Sequence, residues 1–369
     1  MDQTDTLELL PRQTRLQEFW TQLRRNRLAL LGLVVFVFFF LVAVAGMALT
    51  TGSSPVLDPA VVRLEEKLQP PLARVNLASL EPAEVPPLGV YLLGTDDLGR
   101  DVFARMLQGA WVSLTVGFVA VGIAVFMGIV LGGLAGYFGR SPIRLGHVLL
   151  VLAGIGAVVE PGNLRLALLV VLALLGLIQS TRLRRRFSFL CVQLLSADML
   201  ITGLIDIMLC FPSFFLILTV VAVLPASIYN IMIVIGLTSW MGAARFVRAE
   251  FLSLREQDFV TAARALALSD MRIIFRHMVP NAIAPVLVSA TIGIAGAILT
   301  EAGLSFLGFG VPPPHATWGN ILANGKDYLF DAPWLTVIPG LAILIVVLSF
   351  NLFGEGLRDI MNPKLRERY

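Results

Sequence analysis

Long and almost uncharged apolar blocks recur along this chain, and they constrain its fold more than any other feature. At 1.5 Å per helical residue, the first block, residues 28–49, is long enough to cross a bilayer core of about 30 Å. Hydrophobic residues make up 57% of the chain and charged residues only 14%, which would leave a soluble fold almost without polar surface. The sequence therefore predicts an all-α polytopic membrane protein. The further apolar blocks are residues 111–137, 143–159, 164–179, 199–224, 228–244, 282–300 and 334–353.

The basic residues predict the orientation of these spans. Arg24, Arg25 and Arg27 directly precede the first block, and Lys and Arg mark the cytoplasmic side of a span. Alternating the spans from an inside N-terminus places the arginine clusters of residues 182–186 and 245–276 inside as well. Residues 50–110 also carry basic side chains, but a segment of about 60 residues crosses largely regardless of charge. Both termini are therefore predicted to be cytoplasmic.

The same pattern predicts the division of the chain. The first block is interpreted as a retained helix, because it is longer than the apolar core of a signal peptide, and the proline-rich start of the next segment indicates an irregular external lobe. The predicted segments are a tail (1–27), the first span (28–49), an extracytoplasmic segment (50–110), the core (111–357) and a cytoplasmic tail (358–369). The core includes an inserted helical hairpin with a basic return (141–197) and a cytoplasmic loop (245–280).

Composition and spacing give no support for nucleic-acid or metal chemistry. The net charge of +3 comes from residues that flank the apolar blocks, which is typical of a membrane protein and not of a nucleic-acid-binding patch. Asp96, Asp97 and Asp101 lack the spacing of a calcium loop, and no cofactor is predicted. The cysteines are interpreted as core thiols and the histidines form no ligand pair: Cys191, Cys210, His147, His277 and His315.

Several residues inside or beside the spans leave alternatives open. Gly128, Gly132 and Gly136 recur every four residues, which predicts a helix that another helix approaches closely. Glu301 is interpreted either as a pathway residue or as a solvated helix end, the latter being favoured. Asp198 and Asp206, at the start of their block, are interpreted as capping or interfacial acids.

The loop of residues 245–280 is too polar to cross the membrane and too apolar to be a disordered linker. Its run from Asp258 favours a helix, Ser269 or Asp270 is a suitable N-cap for a second helix, and Pro280 marks the start of the next span. Ala262 and Ala263 permit close backbone approach, which suits docking into a groove on a soluble partner. From the residues alone, an amphipathic helix lying on the membrane surface is an equal alternative.

This loop resembles the signature of binding-protein-dependent ABC importer permeases, which is Glu-Ala-Ala, three residues, Gly, nine residues and Ile-x-Leu-Pro. Both the glutamate and the glycine of the signature are absent. The wider stretch DFVTAARALALSDMRIIFRHMVPN resembles the dipeptide, oligopeptide and nickel branch. The positions that fall on the signature are Thr261, Ala262 and Ala263 on the triplet, Ala267 on the glycine, and His277, Val279 and Pro280 on the last motif.

Four other stretches resemble the same branch. LRRNRLALLGLVVFVFFF is similar to its N-terminal span, and LGTDDLGRDVFARMLQGAWVSLTVG to the segment before its second helix. AGLSFLGFGVPPPHATWGNIL and EGLRDIMNPKLR are similar to its last external loop and its C-terminus. The chain is accordingly identified as a member of that family.

The resemblance implies a type I importer fold, with about six core helices plus a two-helix insertion, in the cytoplasmic membrane of a prokaryote. The implied partners are a second homologous permease, two cytoplasmic ATP-binding subunits, an extracytoplasmic solute-binding protein and the lipid bilayer. The chain has no GxxxxGK[ST] phosphate loop, so ATP hydrolysis is expected on other subunits and this chain is not an enzyme. Di- and oligopeptides are the expected cargo, with nickel or another small solute as the alternative.

The resemblance also implies two sets of site residues. A charge at Ala263 is predicted to uncouple transport and to leave membrane insertion intact. The helix from Asp258 to Ala267 is implied to couple to an ATPase, and the residues implied for this role are Asp258, Thr261, Ala262, Ala263, Arg264, Ala267 and Pro280. The residues implied for a loop on the binding-protein side are Asp96, Asp97, Arg100 and Asp101.

A self-contained secondary transporter is the rival class of protein. Such transporters usually carry ionisable residues in mid-span or two repeated halves, and neither is evident in this sequence.

The insertion of residues 141–197 is predicted to be a peripheral hairpin that turns at Glu160-Pro161-Gly162-Asn163, with a re-entrant pair as the alternative. Its two crossings preserve the orientation of every later span.

Overall fold

The computed structural model describes residues 15–52, 55–76, 80, 85–139, 142–144 and 193–361, and these residues are mostly helical. Residues 145–192, which contain most of the predicted insertion with its turn and its arginine cluster, lie outside the described residues, as do His147 and Cys191. The helices are α1 (Arg15–Arg25), α2 (Arg27–Thr50), α3 (Val102–Phe138), α4 (Ala197–Cys210), α5 (Ser213–Val223), α6 (Ile228–Leu254), α7 (Asp258–Ala265), α8 (Asp270–Arg272), α9 (Val279–Phe306), α10 (Trp318–Gly325) and α11 (Trp334–Met361).

Two short antiparallel pairs of strands complete the described structure. The first joins β1 (Ala73–Arg74) to β2 (Val90–Tyr91), before α3. The second joins β3 (Pro142–Arg144) to β4 (Gln193–Ser196). Since β3 and β4 lie at the two ends of the predicted insertion, their pairing brings those ends together. The expectation that a helical arm starts at residue 143 is therefore wrong for residues 142–144, which are extended.

Among the described residues, five helices are long and apolar enough to cross a membrane: α2, α3, α6, the Pro285–Phe306 part of α9, and α11. The pair α4 and α5 passes the same test when it is counted as one span. All six predicted spans that fall on described residues are therefore helical. The helices extend beyond the predicted blocks, with α3 starting at Val102, α6 ending at Leu254 and α11 ending at Met361, because hydropathy detects only the apolar part of a helix.

The predicted single span of residues 199–224 is broken at Phe211 and Pro212. The backbone of Phe211 is extended, with φ −90° and ψ 133°. A proline disfavours the helical conformation of the residue before it and has no N–H to donate to the preceding turn. The prediction of one continuous helix is therefore wrong, and the cause was visible in the sequence.

The described residues divide into two compact units. The first unit comprises the described parts of residues 1–125, 213–240 and 283–369. Within it α2 packs closely on α11, since a Cβ added to Gly32 would lie 2.7 Å from the carbonyl oxygen of Ser349. The rings of Phe36 and Phe350 lie 5.0 Å apart in the same interface. This unit holds the large apolar core, which includes Trp318, Ile298 and Val116.

The second unit comprises the described parts of residues 126–212 and 241–282. In this unit the last part of α3 packs on the second half of α6. A Cβ added to Gly132 would lie 2.4 Å from the carbonyl oxygen of Ala244, and one added to Gly136 would lie 2.5 Å from Cβ of Phe251. A Cβ added to Gly128 would lie 2.5 Å from Cβ of Ala243. The predicted close approach at the glycine repeat is confirmed, and its partner is a helix of the same chain.

Candidate functional site

Helix α7 is a short amphipathic helix that carries most of the residues implied to couple to an ATPase. It begins after Gln257, whose backbone is extended, and Asp258 lies in the first turn, where its charge is favourable to the helix dipole. Val260 and Ala263 are buried and lie three residues apart on one face. Asp258, Thr261 and Ala262 are exposed on the rest of the helix.

The burial of Ala263 bears on the prediction that a charge there uncouples transport, which stays a prediction. Only 5% of Ala263 is exposed, whereas Leu266 at the end of the helix is 75% exposed. A carboxylate at position 263 would enter the packing that holds α7 in place, so it would damage the segment itself. The exposed face is formed by Asp258, Thr261, Ala262, Ala265 and Leu266.

Helix α7 ends at a left-handed residue, Ala267, which has φ +54°. The amide of Ala267 donates to the carbonyl of Arg264 at 2.9 Å, and the amide of Leu268 donates to the carbonyl of Ala263 at 3.2 Å. These two bonds define a Schellman motif, whose left-handed position usually holds glycine. The geometry explains why the family signature has glycine where this chain has Ala267. The predicted helix end at this position is two residues too late, since the last helical residue is Ala265.

Tyr137, near the end of α3, holds both short helices of the segment. Its hydroxyl donates a hydrogen bond of 2.6 Å to Oδ1 of Asp270, and the guanidinium of Arg264 lies 5.1 Å from the centre of its ring. One ring therefore contacts α7 through a cation–π interaction and α8 through a hydrogen bond. No local sequence pattern predicts this contact, because it joins residues more than a hundred positions apart.

A π-helical turn, Ile273–Met278, leads into α9. The amide of Val279 donates to the carbonyl of Ile274, five residues earlier. Pro280 explains the wider turn, because it has no N–H for the carbonyl of Arg276 and its ring would collide with that carbonyl in an α-helix. Asn281 Nδ2 instead donates to the carbonyl of His277 at 2.6 Å. The predicted second helix after Ser269 is confirmed, and α9 starts one residue before Pro280.

The second candidate site lies in the loop before α3, which is called the pre-α3 loop below and comprises residues 63–76 and 85–101. Asp96 is buried at its centre. Its Oδ2 accepts from Arg100 Nε at 2.7 Å and from Arg105 Nη1 at 2.6 Å, and its Oδ1 accepts from the amides of Leu98 and Arg100 at 2.9 Å. The carboxylate is therefore fully used inside the loop.

The other predicted residues of this loop differ in accessibility. Asp101 is buried and caps α3, since its Oδ1 accepts from the amide of Phe103 at 2.8 Å. Burial raises the pKa of the Asp101 carboxyl, while the amides of Phe103 and Ala104 oppose that rise. Only Asp97 and Arg100 keep part of their side chains at the surface. The packed loop leaves these two as the residues of the set that a partner could reach, and contact with a binding protein stays a prediction.

Glu301 is fully buried, so the favoured interpretation of a solvated helix end is wrong. Its Oε1 accepts from Ser305 Oγ at 2.7 Å. The chain after α9 folds back over this turn, since a Cβ added to Gly319 would lie 2.7 Å from Cα of Ala302. Tertiary folding of that loop, which hydropathy does not report, removes Glu301 from solvent.

Two ion pairs that were not predicted from the sequence join α4 to α6. Asp198 lies in the first turn of α4, as expected of a capping acid, and accepts from both Nε and Nη2 of Arg248. Asp206 lies in the middle of α4 and pairs with Arg245 through Nη2 at 2.9 Å. The expectation that Asp206 lies near the N-terminus of its helix is wrong. Each pair spans some forty to fifty residues of sequence, so no local pattern predicts it.

The described residues also settle two smaller points. Cys210 is exposed and not a core thiol, because the break after α4 leaves its last turn at the surface. Within the described ranges, His, Cys, Asp and Glu side chains form no group of three or more that could hold a metal ion.

Two known protein families match separate parts of this chain. Residues 194–367 match the family described as "binding-protein-dependent transport system inner membrane component". Residues 14–71 match the family described as "N-terminal TM domain of oligopeptide transport permease C". The two matches cover the N-terminal span and the spans from α4 to α11 with the segment between α6 and α9.

Relatives match over nearly the whole chain. The dipeptide transport system permease protein DppC of Alkalihalophilus pseudofirmus is 34% identical over 95% of this chain and 90% of its own length. The di/tripeptide permease DppC of Pseudomonas aeruginosa is 34% identical over 95% and 93%. The oligopeptide permease OppC of Bacillus subtilis is 29% identical over 93% and 88%. A chain of the solved MetNI methionine ABC transporter is 18% identical, over 71% of this chain and 98% of that one, with a TM-score of 0.41.

The chain therefore belongs to the binding-protein-dependent ABC importer permeases, in the branch that contains the dipeptide and oligopeptide permeases. It is a multi-pass inner-membrane permease, and its relatives are transport proteins rather than enzymes. The family and the fold class predicted from the sequence are confirmed.

Proposed function

We propose that this chain is the permease subunit through which short peptides enter the cell, driven by ATP hydrolysis on separate subunits. The peptide cargo is supported by the relatives, which are named for dipeptides, di/tripeptides and oligopeptides. None of these three names refers to nickel, the alternative cargo. The complex would contain a second homologous permease, two cytoplasmic ATP-binding subunits and an extracytoplasmic solute-binding protein, and both termini of this chain would be cytoplasmic.

The observation that carries the coupling proposal is the two-sided character of α7. One face holds Val260 and Ala263 against the protein, while the other presents Thr261, Ala262 and Leu266 outward. Small side chains permit close backbone approach, and Leu266 offers an exposed apolar anchor of the kind that fills a pocket on a partner. A lipid-facing helix would need an apolar outer face with basic residues on its polar side. The outer face of α7 carries Asp258 and Thr261 beside Ala262, Ala265 and Leu266, which is less apolar than a lipid-facing surface.

Tyr137 would transmit the movement of α7 to the membrane-spanning helices. Because Arg264 and Asp270 both contact its side chain, a displacement of α7 or α8 by an ATPase acts directly on the end of α3. The close packing of Gly132 on Ala244 would carry the same displacement to α6. Closure of the ATPases would thereby bias the spans between two arrangements.

The test replaces Ala262 by aspartate in the complete complex, reconstituted in liposomes with its binding protein and a dipeptide. Ala262 is exposed, so the variant should assemble, but a charge at the docking face should lower ATP-dependent peptide uptake at least tenfold. Ala262→Ser is the matched control, because it keeps a small side chain, and it should transport like the wild type.

Two results would contradict the proposal. Normal uptake by Ala262→Asp would show that α7 does not dock in a groove. Peptide uptake by this chain alone, without ATP or other subunits, would make it a secondary transporter.

A further inference from the structure

Helix α1 lies against the ends of two membrane-spanning helices. Leu23 is fully buried and packs in one cluster with Ala29 of α2 and Ile360 of α11. The helical chain is interrupted at Asn26, which is extended, with φ −87° and ψ 94°. Its Oδ1 caps α2 by accepting from the amide of Ala29 at 3.1 Å. These contacts hold α1 at the level where α2 begins and α11 ends.

The exposed side of α1 is basic. Trp20 is 43% exposed, and the guanidinium of Arg24 lies 5.0 Å from the centre of its ring. Arg25 and Arg27 are exposed as well. Over residues 12–27 the sequence has five arginines and one acidic residue. The helix therefore presents a positively charged surface beside the first residue of a span.

The arginines on this surface have no acidic neighbour among the residues that the structure describes. Arg24, Arg25 and Arg27 take no part in the ion pairs found there. Arg105 and Arg248, in contrast, each contact a carboxylate. A guanidinium has five N–H donors and no acceptor. The surface is therefore complementary to an anionic group from outside the described chain.

The exposed surface of α2 changes from basic to apolar within one turn. Leu31 is 54% exposed and lies four residues after Arg27, on the same face. Val34 and Phe38 continue this face and are 57% and 58% exposed. The 24 residues of α2 give a length of about 36 Å at 1.5 Å per residue, which exceeds a bilayer core of about 30 Å. Arg27, at the first position of the helix, therefore lies at the level of the lipid headgroups.

A lipid headgroup fits this surface better than a soluble protein. Tryptophan is enriched at the level of the headgroups, and clusters of arginines next to a span or on an amphipathic helix attract anionic lipids. Phosphate oxygens match the planar fork of an arginine. The apolar face of α2 that follows Arg27 suits the acyl chains of the same lipid, which a soluble partner lacks.

We propose that the exposed arginines at the junction of α1 and α2 form a binding site for an anionic phospholipid. Arg24, Arg25 and Arg27 donate charge-assisted hydrogen bonds to the phosphate and the anionic headgroup, and Trp20 lies among the neighbouring headgroups. The acyl chains lie along Leu31 and the residues that continue its face. The bound lipid holds α1 on the membrane surface. The inference uses neither the peptide cargo nor the docking of α7, so it stands apart from the proposed function.

The first experiment measures lipid binding to the complete complex in neutral detergent by native mass spectrometry. The probes are dioctanoyl phosphatidylglycerol, which is anionic, and dioctanoyl phosphatidylcholine, which has no net charge. The wild type should bind the anionic lipid more tightly by about fivefold or more, as expected of basic residues near an anionic surface. The double variant Arg24→Gln with Arg25→Gln should lose this preference, and it keeps Arg27 in front of the first span.

The matched control removes two exposed arginines from the other unit, Arg272→Gln with Arg276→Gln, and should keep the preference. An unchanged preference in the α1 variant would overturn the proposal. Equal loss in both double variants would overturn it as well, since the attraction would then depend on total charge and not on a site.

The second experiment leaves all three arginines in place, so it does not depend on how a charge variant folds. A photoreactive benzoylphenylalanine replaces Thr21, which is exposed and lies three residues before Arg24. The complex is reconstituted in equal parts of phosphatidylcholine and phosphatidylglycerol, and illumination should attach phosphatidylglycerol in excess by about fivefold. Equal attachment of the two lipids would overturn the site, and a cross-link to another protein subunit in place of lipid would show that a protein covers this surface.

Discussion

The pre-α3 loop and the segment from Arg255 to Pro280 are both polar connections next to membrane-spanning helices, but they are held in opposite ways. In the pre-α3 loop the charges point inward, and Asp96 is enclosed by Arg100 and Arg105. In the other segment most charges lie on the surface, although the Arg255 side chain is only 10% exposed. The ring of Tyr137 contacts both α7 and α8.

The backbone shows the same difference. Gly99 has φ +73°, and a Cβ there would lie 1.8 Å from the carbonyl oxygen of Arg63, so glycine is required for the loop to close. Ala267 occupies a left-handed position without glycine, in a turn whose surroundings are open. The backbone before α3 is therefore closed against its neighbours, whereas the turn at the end of α7 stays exposed.

The largest effect is expected from Asp96→Asn. The substitution leaves the buried guanidinium of Arg105 without its counter-charge, and breaking a buried pair in this way typically costs about 3–5 kcal/mol. The free energy of unfolding in detergent should fall accordingly. Asp97→Asn is the control, since Asp97 is partly exposed and 3.9 Å from Arg100. Equal stability of the two variants would show that the loop does not depend on the buried carboxylate.

A smaller effect is expected from Tyr137→Phe. The variant keeps the ring under Arg264 but loses the hydrogen bond to Asp270, which is worth about 1 kcal/mol. Amide hydrogen exchange should accelerate in α7 and α8, while the pre-α3 loop keeps its protection. Tyr137→Leu, which removes the ring as well, should accelerate exchange further. If Tyr137→Phe leaves exchange in both short helices unchanged, the ring is not their anchor.

The smallest effect, and one of opposite sign, is expected from Ala267→Gly. A left-handed backbone costs an L-residue about 1–2 kcal/mol, and the extra chain entropy of glycine removes about 0.5–1 kcal/mol of that gain. The net stabilisation of the segment should be about 0.5–1 kcal/mol. Ala265→Gly, two residues earlier and inside the helix, should instead destabilise by about 1 kcal/mol. Hydrogen exchange of the α7 amides measures both variants, and effects of the same sign would refute the Schellman geometry.

Local signals in the sequence predicted much of this protein. The apolar blocks predicted the spans, because a helix is the arrangement that satisfies its backbone polar groups within one segment in lipid. The residues around Ser269 predicted a second short helix, and the glycines from Gly128 to Gly136 predicted close packing. The loop signature predicted the family, which the relatives confirm.

Other features required the tertiary structure, since they depend on residues far apart in the sequence. The burial of Ala263 and Glu301, and the pairing of Asp206 with Arg245, follow from how helices and loops meet. Periodicity gives the face of a helix but not what covers that face. The sequence by itself determined which segments lie in the membrane, because the bilayer sets their length and composition. Only the tertiary structure decided which polar side chains are enclosed and which stay open to a partner or a solute.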